Sequence, residues 1–315
     1  MKKALIVGCD GQDGTYLTEY LERKKYQVIG ISRRGLHLRN QKRLQPVDIL
    51  KTHQISKILS SHQPHEIYYL AAYHHSSQDR KDQLSELFDK SFGVHVQGLR
   101  NFLDSMIVHC PKARIFYAAS SHIFGHPKTR VQDERTPIEP VCVYGITKAA
   151  GLQICRFYRN EFKLFASVGI LYNHESPIRA AKFVSQKIVQ AAIAIKQGRQ
   201  RGLVLGNLNA VIDWGYAGDY VEAMHKILRA KAPDDLVIAS GQSHTVKQFV
   251  EGVFDVLKLD WKKFVRQDAR LIQTKHQSHW QGNPEKLKKL TGWKPKRNFN
   301  DLIALMVEAG LRNAK

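Results

Sequence analysis

Gly8-Cys9-Asp10-Gly11-Gln12-Asp13-Gly14 is the stretch whose reading decides the fold. It follows a short apolar run, Ala4–Val7, and leads into an amphipathic segment, so it reads as the turn between a strand and a helix. Gly8 allows the tight turn, Gly11 lets the backbone approach a pyrophosphate, and Gly14 lets the helix press against the strand. The start of that helix offers amide donors and the positive end of its dipole to phosphate groups. Gly8, Gly11, Gln12, Asp13 and Gly14 are therefore candidate cofactor-binding residues.

Outward from this loop, short β-branched runs alternate with amphipathic helical stretches, the pattern of a doubly wound parallel α/β sheet of Rossmann type. Strands are expected at Lys3–Val7, Gln27–Ser32, Ile67–Ala71, Ile115–Ala119 and Phe165–Leu171, with helices at Tyr16–Lys24 and Val94–His109. The basic, polar stretch 33–47 reads as a flexible loop. From Asn173 the texture changes to helical stretches such as Phe183–Lys196 and Val246–Leu257, alternating with short segments such as Leu203–Gly206. The expected organisation is a nucleotide-binding domain over 1–172 with a return segment at about 208–240. A smaller mixed substrate-binding lobe is expected from 173–207 and 241–315.

Ser120-Ser121 closes the Ile115–Ala119 strand, and Tyr144-Gly-Ile-Thr-Lys148 follows on a helix. Tyr144 and Lys148 are four residues apart and so share one helix face. A tyrosine near its reference pKa of about 10 is a poor base at neutral pH. A neighbouring ammonium and an oxidised nicotinamide both stabilise phenolate and bring it into working range. Ser120 is placed to hydrogen-bond the same substrate oxygen. The three together predict oxidation or reduction of a carbinol.

An NAD site usually places an acid at the end of the second strand, to hold the ribose hydroxyls. Here the chain reads Ile31-Ser32-Arg33-Arg34, without an acid. Two guanidiniums suit a 2′-phosphate, so NADP is favoured over NAD. Asp48 is a candidate at the adenine edge or a plain turn residue, and Ala71, at the end of the Ile67–Ala71 strand, is a further candidate cofactor contact.

With 315 residues, 43 % of them hydrophobic, the chain can fill a large core. No apolar run reaches the roughly 18–20 residues of a membrane span. Ala4–Val7 is shorter than the roughly 7–15 apolar residues of a secretory leader, so it reads as a first strand. Cys9, Cys110, Cys142 and Cys155 lack paired spacing and read as reduced thiols of a cytoplasmic protein. The formal charge of +21 is spread along the chain without a nucleic-acid-binding motif. It fits attraction to an anionic small substrate, and nucleic acid is not an expected partner. His74, His75, His95 and His122 follow strands or lie on the next helix, where some could converge. They lack metal-ligand spacing, so no metal is expected.

The G-x-x-G-x-x-G spacing is typical of short-chain dehydrogenases, and the chain as a whole resembles the GDP-mannose 4,6-dehydratases of the extended branch of that superfamily. The shared stretches are Gly11–Leu17, Ile31–Arg34, Ile170–Pro177 with its Asn-His-Glu-Ser-Pro string, Leu205–Ala210, Asp213-Trp-Gly215, Asp219–Met224 and Gly292-Trp-Lys-Pro295. The resemblance implies NADP bound alongside a nucleotide-diphosphate sugar. It also implies oxidation at C4 of the hexose, loss of water across C5–C6 and return of the hydride to C6. Tyr144 would be the base, Lys148 its electrostatic tuner and Ser120 its hydrogen-bond partner. Tyr144 and Lys148 would touch the cofactor as well. His74, Ser121, Asn173, Arg179 and Asn207 are the candidate substrate contacts, and a homo-oligomer, dimer or tetramer, is expected.

The departures from the family pattern cluster at the substrate side. Aligned on Gly125, His122 stands where the family places the glutamate that takes the C5 proton. A histidine can serve as acid or base near neutral pH, so His122 is the candidate second acid/base. C4 reduction and C3/C5 epimerisation without dehydration remain open beside it. Val211 and Ile212 replace a Lys and an Arg, and Gln273–His276 replaces an Arg-Pro-Thr-Glu segment. Of an Arg-Arg-Gly-Glu loop that joins subunits in the family, only Arg179 is kept. A degenerate relative that binds nucleotide or nucleic acid without chemistry is the non-enzymatic alternative, and the intact Ser/Tyr/Lys set speaks against it.

Overall fold

The structure is a computed structural model that describes residues 1–38, 46–74, 84–272 and 279–314. Its first half runs β1 (Lys3–Val7), α1 (Gln12–Arg23), β2 (Gln27–Ser32), β3 (Gly35–Leu38), α2 (Thr52–His62), β4 (Glu66–Tyr69), α3 (Leu84–Phe92), α4 (Gly98–His109), β5 (Arg114–Ser120), α5 (Val143–Glu161) and β6 (Phe165–Leu171). A wider π-type turn, Gly93–Gln97, joins α3 to α4 where an uninterrupted helix from Val94 was expected. The second half comprises β7 (Asn173–Glu175), α6 (Val184–Lys196), β8 (Leu203–Leu205), β9 (Val211–Tyr216), α7 (Ala217–Ile227), β10 (Asp235–Ile238) and β11 (Ser243–Thr245). It ends with α8 (Val246–Val256), α9 (Trp261–Phe264), β12 (Val265–Gln267), β13 (His279–Trp280), α10 (Glu285–Thr291) and α11 (Phe299–Asn313).

Seven strands form the main sheet in the order β10-β6-β5-β4-β1-β2-β3. All neighbours are parallel except β2 and β3, an antiparallel hairpin in which Ser32 faces Gly35 across Arg33-Arg34. This hairpin corrects the loop expected over 33–47, of which residues 39–45 lie outside the described residues. Gly35, at φ +132°, is what lets so short a turn close. The strand order reverses between β1 and β4, which opens a crevice at the carboxyl ends of those two strands.

Successive residues of β1 feed opposite faces, as the period of a strand requires. Leu5 and Val7 pack with Phe102, Leu103 and Leu152 from α4 and α5. Ala4 and Ile6 pack with Leu17, Tyr220 and Met224 from α1 and α7. With both faces covered, the strands read as unbroken apolar runs. A separate core joins α6, α8 and α11 through Ile188, Val189, Phe249, Val253 and Met306, with Trp214 of β9 beside them.

Several of the strings shared with the family act as staples here. Asp213 accepts from the amides of Ser240, Gly241 and Gly282 and from the Ser240 hydroxyl. Asp219 accepts from the amides of Lys296 and Arg297, and the Trp293 indole donates to the Asp219 carbonyl at 2.9 Å. Among the described residues no helix is long and apolar enough to cross a membrane.

Candidate active site

The glycine loop lies at the crevice between β1 and β4. Gly8 adopts φ +94°, and its amide donates to the Ile31 carbonyl at 2.8 Å. A Cβ on Gly8 would stand 2.9 Å from the Ala71 amide, and one on Gly14 only 2.4 Å from the Gly8 carbonyl. Gly11 is different: its Cβ would meet just the Gly8 carbonyl, at 3.4 Å, so its outer face is open. No side chain caps α1 at Gly11. A tight turn, an open backbone face and an uncapped helix start fit a dinucleotide pyrophosphate.

The side chains of Gln12 and Asp13 turn away from that open face. Gln12 Nε2 donates to the His174 carbonyl at 3.1 Å, and the Ser176 hydroxyl donates to Gln12 Oε1 at 2.7 Å. The Asp13 carboxylate meets His174 Nε2 at 2.9 Å, while His174 Nδ1 lies 2.7 Å from the Tyr172 carbonyl. Burial alone would raise the Asp13 pKa, but His174 outweighs it and holds the carboxyl below its ordinary range. Burial likewise pulls on His174, and Asp13 reverses the sign and raises it. What these two residues present towards a phosphate is therefore backbone.

At the end of β2 the two arginines part. Arg33 is exposed, and no described residue pairs with it. Arg34 places both Nε and Nη2 at 2.7 Å from Asp10 Oδ2. His37 Nε2 lies 2.9 Å from the Ser32 hydroxyl and 3.8 Å from Asp10 Oδ1. The carboxylate that meets the turn after β2 is thus Asp10, from the glycine loop. Cys9, Asp10 and His37 bring ligand atoms within 4.8 Å of one another. Arg34 already holds the carboxylate, however, and burial pushes the Cys9 thiol up to about 12. Asp48 is exposed and accepts from the Leu50 amide at 2.9 Å, which makes it a turn residue.

Tyr144 stands half-buried in the first turn of α5, ringed by imidazoles. Ring centroids of His95, His74 and His122 lie 5.2, 5.3 and 5.8 Å from its own. His75 lies outside the described residues. His95 is locked: its Nε2 accepts from the Tyr73 amide at 3.0 Å, so its Nδ1 carries the proton towards the Thr147 hydroxyl at 2.8 Å. Burial, with the charge of Lys148 behind it, drives the His95 pKa down to about 2. His122 is open at the rim, with its ring 5.0 Å from that of Trp280 and its Nδ1 3.9 Å from the Cys142 sulfur. Although it meets solvent, the protein around it lowers its pKa below 6.5 by desolvation.

Lys148 is buried, donates to the Ala118 carbonyl at 2.7 Å and stands 5.7 Å from the centre of the Tyr144 ring. Burial pulls its pKa down to about 7, against the opposing charge of Asp13. Burial also raises the Tyr144 phenol above 10, and the charge that counters it most is Arg179. Ser120 sits at the end of β5, where its hydroxyl accepts from the His122 amide at 3.3 Å.

Arg179 pairs with Glu175 at 3.1 Å and lies 3.5 Å over the Phe183 ring, which in turn is 5.0 Å from the His74 ring. Arg179, Phe183, His74 and Tyr144 thus form one wall. Ser121 is buried beside Ser120, and Asn173 opens β7. Asn207 lies in the turn before β9, where its side chain accepts from the Asn209 amide at 2.9 Å. Cys142, Thr147, Phe183 and Trp280 belong to this neighbourhood and were not foreseen. Cys142 caps the helix that carries Tyr144 by accepting from the Gly145 amide at 3.4 Å, a role its residue type does not announce in the sequence. Two surface cavities of about 390 and 550 Å³ lie elsewhere, and neither is lined by Tyr144, His122 or Lys148.

Known proteins share both sequence and fold with this chain. A GDP-mannose 4,6 dehydratase 2 from Arabidopsis thaliana is 36 % identical over 334 residues, covering 100 % of this chain and 88 % of its own. GDP-mannose 4,6 dehydratase from Homo sapiens is 33 % identical over 342 residues, covering 97 % and 90 %. Among solved structures, RMD from Pseudomonas aeruginosa complexed with NADPH superposes with a TM-score of 0.84 at 18 % identity, covering 99 % and 100 %. The dTDP-glucose 4,6-dehydratase from Bacillus anthracis in complex with NAD gives 0.82 at 20 %, covering 99 % and 97 %, and both show the fold. The family description GDP-mannose 4,6 dehydratase matches residues 5–306, and the chain belongs to that family.

Proposed function

We propose that this enzyme, a nucleotide-sugar dehydratase/oxidoreductase of the short-chain dehydrogenase type, dehydrates a nucleotide-diphosphate hexose after oxidising it at C4. The observation that carries the reading is the placement of Tyr144, Ser120, His122 and buried Lys148 around one cleft, beside an open glycine loop. A nicotinamide dinucleotide, when bound, supplies the reversible hydride acceptor. The exposed Arg33 together with Arg34 favours NADP over NAD.

Tyr144 takes the proton of the C4 hydroxyl, and Ser120 hydrogen-bonds the same oxygen. The Tyr144 phenol lies above its ordinary range in the protein alone, so it needs positive charge nearby. Arg179 and the protonated fraction of Lys148 provide it from the protein. The C4 ketone acidifies the C5 proton. His122, neutral near pH 7 because desolvation lowers its pKa, is the base for that proton and the acid that helps the C6 hydroxyl leave. His74, Ser121, Asn173, Arg179 and Asn207 are the proposed substrate contacts. Exposed apolar side chains on α3, α4 and α5, among them Phe92, Val108 and Phe157, support a homo-oligomer formed by a second copy of the chain.

Mass spectrometry tests the reaction, using purified protein, NADP⁺ and a panel of GDP-, UDP-, dTDP- and CDP-hexoses. Loss of one water from one of them, abolished in Tyr144→Phe, is expected. An unchanged mass throughout would overturn dehydration of those sugars and turn attention to epimerisation or C4 reduction. Loss of water that survived in Tyr144→Phe would remove Tyr144 from its role.

A further inference from the structure

The pairing of Asp10 with Arg34 bears on which dinucleotide the glycine loop accepts. Resting on the nicotinamide reading above, we propose that Asp10 is a specificity-determining residue. Its carboxylate competes with a 2′-phosphate for the Arg34 guanidinium and itself accepts from a ribose 2′-hydroxyl, so the protein takes NAD(H) alongside NADP(H).

Three observations carry this. Asp10 lies between Gly8 and Gly11, and its carboxylate reaches the hairpin turn at the end of β2, where ribose hydroxyls are read in this fold. Arg34 commits both Nε and Nη2 to Asp10 Oδ2 at 2.7 Å, and in the same turn Arg33 pairs with no carboxylate among the described residues. Ser32 and His37 complete the cluster, with His37 Nε2 between the Ser32 hydroxyl at 2.9 Å and Asp10 Oδ1 at 3.8 Å.

The pair remains open to a ligand. The Asp10 side chain is 28 % exposed and that of Arg34 61 %, so a ligand can reach either group. A 2′-phosphate placed at Arg34 would have to displace a carboxylate and then sit beside it, like charge against like. A 2′-hydroxyl placed there donates to Asp10 with Arg34 left in place. The same chemistry explains how a chain with no acid after β2 can hold the ribose of NAD. In a half-exposed setting the discrimination carried by one such charge is about tenfold.

Titration calorimetry with NADPH and NADH reads this directly, on the wild type, Asp10→Asn, Arg34→Gln and the double variant. Asp10→Asn keeps the side-chain shape and removes the charge, and Asp10→Ser serves as a second variant if the first folds poorly. In either, the ratio of NADPH to NADH affinity is expected to rise about tenfold, by tighter NADPH and weaker NADH. Arg34→Gln is expected to lower the ratio, and in its background Asp10→Asn should still raise it, but by less, since the repulsion of the 2′-phosphate and the ribose hydroxyl contact persist while the competition for Arg34 is gone. A ratio within twofold of wild type in both Asp10 variants overturns the inference while leaving the dinucleotide site intact. An equal rise with and without Arg34 overturns the competition. Failure of the wild type to bind either dinucleotide overturns the dinucleotide reading itself, and the inference with it.

Discussion

Tyr144 is ringed by three imidazoles, and they are not equivalent. His95 is fixed as one neutral tautomer by the Tyr73 amide and the Thr147 hydroxyl, so both of its ring nitrogens are engaged within the protein. His122 keeps access to the cleft, and desolvation holds its pKa below 6.5. A base with a lowered pKa stays unprotonated further into acid, so the acid limb of dehydration is expected below pH 6.5. His122→Gln should remove that limb and slow water loss by about 10²-fold or more. His122→Glu should keep dehydration and move the limb towards the carboxylate range. An acid limb unchanged in both variants, read from pH–rate profiles of water loss, would take the proton transfer away from His122. The sequence suggested that histidines gather at strand ends. It could not say which one is locked, because Thr147, the partner of His95, lies 52 residues along the chain.

Among elements, the start of α1 is tied to β7 and the residue after it by Asp13–His174 and Gln12–Ser176, which fixes the glycine loop against that segment. The Asn-His-Glu-Ser-Pro string was legible as a family mark, but its partner Asp13 lies 161 residues away and its purpose was not. The pair carries a pH signature. His174 is raised above 6.5, so its contribution is full below that value and is lost as pH rises through its folded-state pKa. Asp13 is lowered below 3.8, so its contribution is present above that value and is lost as pH falls through its folded-state pKa. Asp13→Asn should therefore cost about 2 kcal/mol between those values and less above the His174 range. Denaturant melts at about pH 6 and pH 9 measure this, and an equal loss at both would contradict the ion pair. Asp13→Asn should also loosen dinucleotide binding, since the loop loses its anchor.

For the molecule as a whole, the alternation of apolar runs and amphipathic helices gave the main sheet away, since parallel strands buried on both faces leave that texture. The bounds of β1, β2 and β6 were legible to the residue. β3 was not, because a four-residue edge strand in a basic stretch carries little apolar signal and depends on Gly35. The sheet of β7, β9, β11 and β13 was equally hidden, being built from short strands that pair across long separations. If the exposed Phe157 and Phe162 lie in an interface between copies, changing both to Asp should yield monomers, which sedimentation velocity would report. An unchanged mass in solution would remove those residues from any such contact. In the proposed reaction one cleft runs one complete hydride cycle. Its most direct test follows a hexose deuterated at C4, in whichever nucleotide sugar loses water, with a catalytic amount of NADP⁺. The expected product is lighter by one water and carries the deuterium at C6. Deuterium lost to the medium or retained at C4 would contradict it.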